Sequence, residues 1–127
     1  MSTKQTNASD IEAGLRQFCG SERRYPHWTK LLDYTEGVQW LAEQAGAYWL
    51  IDLIASHQTL PRVRSERFQV WQIERQGEQG AIVTCHDDLP GSLLSDQCLE
   101  YTDFPLQQLK LYVCGDRPRV LMLPSEY

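Results

Sequence analysis

The sequence carries none of the short patterns that announce a familiar chemistry. GxxxxGKS/T, GxGxxG, GxSxG and HExxH are missing, so nucleotide, serine-hydrolase and zincin readings lose their usual support. The four cysteines, Cys19, Cys85, Cys98 and Cys114, form no CxxC pair. Cys and His are scattered, whereas zinc wants them at short paired spacings, so neither a metal nor a cofactor is expected. Asp87-Asp88 with Asp96 lacks the alternating acids and the glycine of a calcium loop. The opening MSTKQTNASD has no apolar core of a signal peptide, and no apolar run is long enough to span a bilayer. A cytoplasmic protein with reduced thiols is therefore expected. A bridge between Cys85 and Cys114 across neighbouring strands stays open.

Basic residues are also absent from a long stretch. Residues 77–104 hold Glu78, Asp87, Asp88, Asp96, Glu100 and Asp103 and no Lys or Arg. The formal net charge of −5 argues against a broad phosphate-binding face. Residues 61–76 are the counterweight, with Arg62, Arg64, Arg67 and Arg75 against Glu66 and Glu74. Arg64 and Glu66 fall on one side of an extended segment, so self-neutralisation accounts for much of that excess.

What the chain does have is an apolar centre, Gly46 to Gln58 (GAYWLIDLIASHQ). Its apolar side chains point nearly all round a helix, the mark of a helix inside a protein. Gly46 breaks the pattern before it, and Pro61 disfavours helix at the residue preceding it. At about 3.6 residues per turn, Trp49, Asp52, Leu53 and Ser56 share one stripe. Asp52 and Ser56 are thus placed to share a hydrogen bond or a common partner.

Upstream, Ser9 and Glu12 fit a capping box for a helix at about 10–18. RRYPHW (Arg23 to Trp28) is extended or turned around Pro26. Thr35 caps a second helix, whose apolar stripe is Val38, Leu41, Ala42 and Ala45 and whose end suits Gly46. After Pro61 the texture becomes β-type. Strands are predicted at Arg67–Arg75, Ala81–His86, Cys98–Thr102, Leu109–Cys114 and Arg119–Leu123, with His86–Ser95 a polar loop. Helices first and strands second predict an α+β domain spanning 1–127, residues 1–8 flexible. Its two to three N-terminal helices would pack on one face of a C-terminal antiparallel sheet of four to five strands.

Six stretches, RYPHW (24–28), YTEGVQWLAE (34–43), GAYWLIDLIASHQ (46–58), FQVWQI (68–73), YTDFPL (101–106) and LPSEY (123–127), resemble a family of small bacterial and phage proteins. That family is known only as a domain of unknown function. The resemblance implies a compact intracellular protein, often carried on mobile or phage DNA, and brings no catalytic residues with it.

The candidate site residues are His27, Asp52, His57, Tyr101 and Asp103. His27 lies between Pro26 and Trp28, and packing with one hydrogen bond is the plainer account beside a role as base. His57 falls in the last turn of the central helix, where the dipole favours an imidazolium. Cys85 and His86 are adjacent on a strand and point to opposite faces, so they do not pair with each other. Tyr101-Thr102-Asp103-Phe104 sets a carboxylate among aromatics before Pro105. Asp103 either holds a backbone turn or faces a cleft. At the C-terminus, Glu126-Tyr127 either frays or docks.

Two functions compete. The first is a non-enzymatic binding or regulatory module working through a sheet face or edge strand, consistent with four Trp and six Tyr, types enriched at interfaces. The second is a small enzyme pairing His57 or His27 with Asp52 or Asp103 as acid and base. A protein partner or a homodimer ranks ahead of nucleic acid, which would need the Arg62–Arg67 segment, Arg23-Arg24 and Arg117 with Arg119 to share one face.

Overall fold

The computed structural model describes residues 7–18, 23–87, 91–116 and 119–127. Seven strands form one mixed sheet: β1 (Arg24–Pro26), β2 (Asp33–Thr35), β3 (Phe68–Gln76), β4 (Gly80–His86), β5 (Leu93–Leu99), β6 (Gln108–Cys114) and β7 (Val120–Met122). Four short helices accompany them: α1 (Ala8–Leu15), α2 (Glu36–Ala45), α3 (Tyr48–His57) and α4 (Pro61–Arg64). The strand order is β1-β2-β7-β6-β3-β4-β5. Every neighbouring pair is antiparallel except β2 and β7, which run parallel.

This corrects the expected two to three N-terminal helices on a four-to-five-strand antiparallel sheet; the fold is mostly sheet. Two strands lie ahead of the helix pair, and at three residues each they are too short to display an alternation. Their place is set by pairing across the chain, β2 against β7 near the C-terminus. The fourth helix was hidden because Pro61 breaks a helix that precedes it yet suits the first turn of one that follows. Strand β5 occupies part of the expected polar loop, for an edge strand need not show an apolar face.

Helix ends follow local chemistry. The Thr35 side chain accepts the Val38 N–H, and Gly46 takes the left-handed conformation at φ 62°, as read from sequence. The cap of α1 is Asn7, which accepts the Asp10 N–H, in place of the expected Ser9 box. Helix α3 is less enclosed than its composition suggests. Leu50, Ile51, Ile54 and Ala55 are buried, but Tyr48, Asp52 and Ser56 form an exposed stripe. Ser56 bonds the Leu53 carbonyl at 2.7 Å instead of Asp52.

Odd-numbered positions of β3, β4 and β6 (Trp71, Ile73, Ala81, Val83, Cys85, Leu111, Val113) join one core with α2 and α3. Even positions such as Phe68, Gln72, Ile82, Thr84, Lys110 and Tyr112 are partly exposed on the other face. Cys85 lies in the core opposite Trp71, whereas Cys114 pairs with Phe68 on the other face, two strands away. Both thiols are free.

A buried polar network ties the C-terminal end of α3, α4 and β3 to the start of β7. Gln69, wholly buried, donates to Gln58 Oε1 at 3.0 Å and to the Val63 and Glu66 carbonyls at 3.0 and 3.1 Å. Its Oε1 accepts from Gln58 Nε2 and Trp71 Nε1, both at 2.9 Å. Arg119 adds bonds to Gln58 Oε1 and to the carbonyls of Val63, Arg64 and Glu66. The guanidinium thereby satisfies carbonyls that the end of α4 leaves open. At the C-terminus, Glu126 docks, one of the two alternatives read from the sequence. Its carboxylate accepts from the Thr35 hydroxyl (2.6 Å), Leu123 N–H (3.0 Å) and Gly37 N–H (3.2 Å), at the positive end of α2.

Candidate functional site

The segment between β1 and β2 is a tight loop. The Lys30 N–H donates to the His27 carbonyl at 2.9 Å and the His27 N–H to the Leu32 carbonyl at 3.0 Å. Lys30 closes the turn at φ 65°, the left-handed region that a side-chain-bearing residue occupies at a cost of about 1 kcal/mol. It is the one non-glycine residue with positive φ among those described.

The loop brings His27 against α3. Its Nε2 lies 2.6 Å from Asp52 Oδ1, while Nδ1 lies 2.7 Å from the Thr29 hydroxyl and 3.2 Å from the Thr29 N–H. The Thr29 N–H can only donate, so Nδ1 is the acceptor and Nε2 carries the proton given to Asp52. Thr29 Oγ1 in turn accepts the Leu31 N–H at 3.3 Å. His27 is 4 % exposed and the Asp52 side chain 54 %. Trp28, the next residue, donates its indole N–H to the same Asp52 oxygen at 3.2 Å and is 77 % exposed. One carboxylate oxygen thus fastens a buried imidazole and an exposed indole to the outer stripe of α3.

Aromatic side chains continue the surface. Tyr25 and Tyr34 face each other across the β1–β2 pair with ring centroids 5.8 Å apart. Burial, then Tyr25 and Asp52, push the Tyr34 phenol above its ordinary pKa. Burial also raises that of Tyr48, one turn before Asp52, with Glu43, Tyr34 and Tyr25 adding to it. These phenols therefore stay neutral hydrogen-bonding groups throughout the physiological range, on a ledge carrying the Asp52 and Glu43 carboxylates.

The structure brings together His27 and Asp52 and separates the other candidates from them. His57 turns to β5, its Nδ1 3.1 Å from Ser95 Oγ and its Nε2 3.0 Å from Gln97 Oε1, with its ring edge-to-face on Trp71 at 5.6 Å. Tyr101, 74 % exposed, and Asp103 line a hollow of about 240 Å³ with Trp49, Leu99 and Thr102. In that segment the Phe104 N–H bonds Thr102 Oγ1 at 3.2 Å. Arg119, named in the sequence as a possible phosphate contact, is buried and occupied by carbonyls. Tyr25, Tyr34 and Tyr48 were not singled out from sequence. The signal available was the density of Tyr and Trp around Pro26 and at the start of α3.

A family model described as a family of unknown function (DUF6876) matches residues 9–127. No curated protein and no solved structure matches the chain. Among the described residues no helix is long and apolar enough to cross a membrane.

Proposed function

The chain belongs to this family of unknown function, and for it we propose a non-enzymatic binding module that meets a protein partner through the aromatic ledge around Trp28. The observation that carries the reading is the exposed indole held by Asp52. A tryptophan left in water forgoes the burial of roughly 150–250 Å² that its ring can make. Fixing its orientation beforehand lowers the entropy lost when a partner covers it, and Trp is the residue type most enriched at interface hot spots. The strained turn at Lys30 supports the same view, since such strain collects where a loop must hold one shape. In this reading the partner is a host or phage protein met in the cytoplasm.

The competing acid–base reading draws on the short His27–Asp52 contact and the exposure of Asp52. It is the weaker one because both ring nitrogens of His27 already have partners inside the protein, leaving none to take a proton from a substrate.

Capture from a lysate of the source cell tests the proposal with three immobilised proteins: the wild type, Trp28→Ala and Tyr101→Ala. Tyr101 serves as the control because it is equally exposed but lines a different hollow. The expected result is a protein retained by the wild type and Tyr101→Ala and lost from Trp28→Ala. Identical retention by all three would overturn the ledge as the contact surface.

A further inference from the structure

The two edges of the sheet are built differently. At one edge, β1 is three residues long and ends in Pro26, a short and blunted edge of the kind that resists further pairing. At the other edge, β5 runs for seven residues, LLSDQCL, with no proline, lysine or arginine. It is last in the strand order, with β4 its one strand neighbour among the described residues. In an antiparallel edge strand alternate residues aim their N–H and C=O groups outward. Arg62 covers the start of the strand, its Nη2 donating to the Leu93 carbonyl at 3.1 Å. On the side away from β4 no further strand follows among the described residues, while His57 of α3 reaches the Ser95 and Gln97 side chains. Asp96, Gln97 and Cys98 are exposed.

Charge selects the occupant. Asp96 lies on the strand, Glu100 directly follows it, and Asp87 directly follows β4, within a stretch, residues 77–104, that has no Lys or Arg. A second copy of the chain pairing antiparallel through β5 about its central residue would set Asp96 against its own equivalent, and like charges across a strand pair are destabilising. Arg62 bonds the strand, but only at its first residue. We propose that the β5 edge binds an extended basic polypeptide segment by strand addition, as an eighth strand beside Leu94–Leu99.

Main-chain hydrogen bonds would supply affinity, and lysine or arginine side chains on the strand's exposed side would meet Asp96 and Glu100. The proposal is independent of the Trp28 ledge, so Trp28→Ala leaves this binding unchanged.

The probe is a capped heptapeptide of alternating lysine and valine, matched in length to β5. Two controls accompany it: one peptide N-methylated at alternate residues, in both registers, and one with glutamate for lysine. Affinity is read by fluorescence anisotropy, and the position of binding by hydrogen exchange of the β5 amides. The expected result is slowed exchange confined to β5. Affinity should fall about tenfold or more on N-methylation in one register, and binding of the glutamate peptide should be lost. Asp96→Lys, an exposed change that puts a lysine on the edge, should weaken binding while leaving the melting temperature in place. Equal affinity for both N-methylated peptides and the parent would mean charge attraction without strand addition, and would overturn the proposal. So would protection appearing elsewhere, or a β5-dependent dimer of the free protein that Asp96→Lys dissolves.

Discussion

The Gln69–Arg119 network makes a quantitative prediction because the two side chains share acceptors. Gln58 Oε1 and the Glu66 carbonyl each receive one bond from Gln69 and one from Arg119. The Val63 carbonyl also receives both, but has the Glu66 N–H at 3.0 Å as a further donor. In Gln69→Leu, Arg119 still serves the shared acceptors and Gln58 Nε2 keeps the Ile54 carbonyl, so the group that loses its acceptor is Trp71 Nε1. In Arg119→Met, Gln69 still serves them, and the Arg64 carbonyl loses the guanidinium as its donor. Each single change should cost about 2 kcal/mol, the penalty for one buried polar group losing its partner. The double variant additionally strands the buried Gln58 Oε1, while the Glu66 carbonyl, only part-buried, is left to water. Its loss should therefore exceed the sum of the singles by about 2 kcal/mol, a coupling within the range measured for residues of one network. Urea unfolding followed by tryptophan fluorescence measures this. With a slope of about 1–3 kcal/mol per molar urea, the excess moves the midpoint by about a molar unit. The combined loss of about 6 kcal/mol approaches the stability of many domains, so the series is run with a stabilising osmolyte present throughout. Additivity to within about 0.5 kcal/mol would refute the shared-acceptor argument.

Further outcomes are expected. Lys30→Gly should raise stability by about 0.5–1 kcal/mol in thermal unfolding, because glycine takes φ 65° without the side-chain penalty; a loss would show the Lys30 side chain to matter more than its backbone. Glu126→Ala should cost about 1–3 kcal/mol and fray the start of α2 in hydrogen exchange, since three donors lose one carboxylate. Cys85, buried and with its thiol pushed up to about 12 first by burial and then by Asp87 and Glu66, should resist iodoacetamide at pH 8 while exposed Cys98 reacts. The same shift fixes a pH dependence. Between about pH 9 and 12 the unfolded chain releases this proton and the folded chain keeps it, so stability should fall as pH rises through that window, by at most about 1.4 kcal/mol per pH unit. Cys85→Ala should flatten that part of the curve.

The parts of the fold legible in the sequence are those fixed by neighbours along the chain. Thr35 and Gly46 bound α2 because capping and the left-handed turn are local chemistry. The alternation of Leu109, Leu111 and Val113 is visible because one face of β6 is buried. What escaped depends on distant partners. β1 exists through pairing with β2, and β2 through pairing with β1 and β7, and nothing in three residues forecasts a parallel partner 87 positions on (Asp33 to Val120). Gln69 offered a signal that went unread: it sits in phase with Trp71 and Ile73, so an amide had to be buried and needed a partner. Arg119 gave no such sign, because a basic residue beside a turn reads as surface until its surroundings are known. His27 and Asp52 were each recognisable as polar groups among apolar neighbours, but only the loop closed by Lys30 sets them 2.6 Å apart.

Asp52 is where the binding and acid–base readings part, and Asp52→Asn separates them. Asparagine keeps an oxygen at the position that accepts from both His27 and Trp28, so the loop geometry survives while the charge is removed. The Asp52 side chain is about half exposed and asparagine keeps both hydrogen bonds, so the fold should tolerate the change. If Trp28 is a contact residue held in place, Asp52→Asn should retain the partner that Trp28→Ala loses, within a few-fold in affinity. If Asp52 instead orients His27 for proton transfer, the missing charge should lower any turnover by orders of magnitude with the structure intact, as losing the charged orienting group does in catalytic triads. Asp52→Ala is the companion variant: it frees both rings, so the binding reading requires weakened capture there and near-normal capture by Asp52→Asn. Loss of the partner from both variants with Trp28 unmoved, judged by its fluorescence, would mean that the carboxylate itself is what the partner recognises, and the indole would no longer carry the proposal.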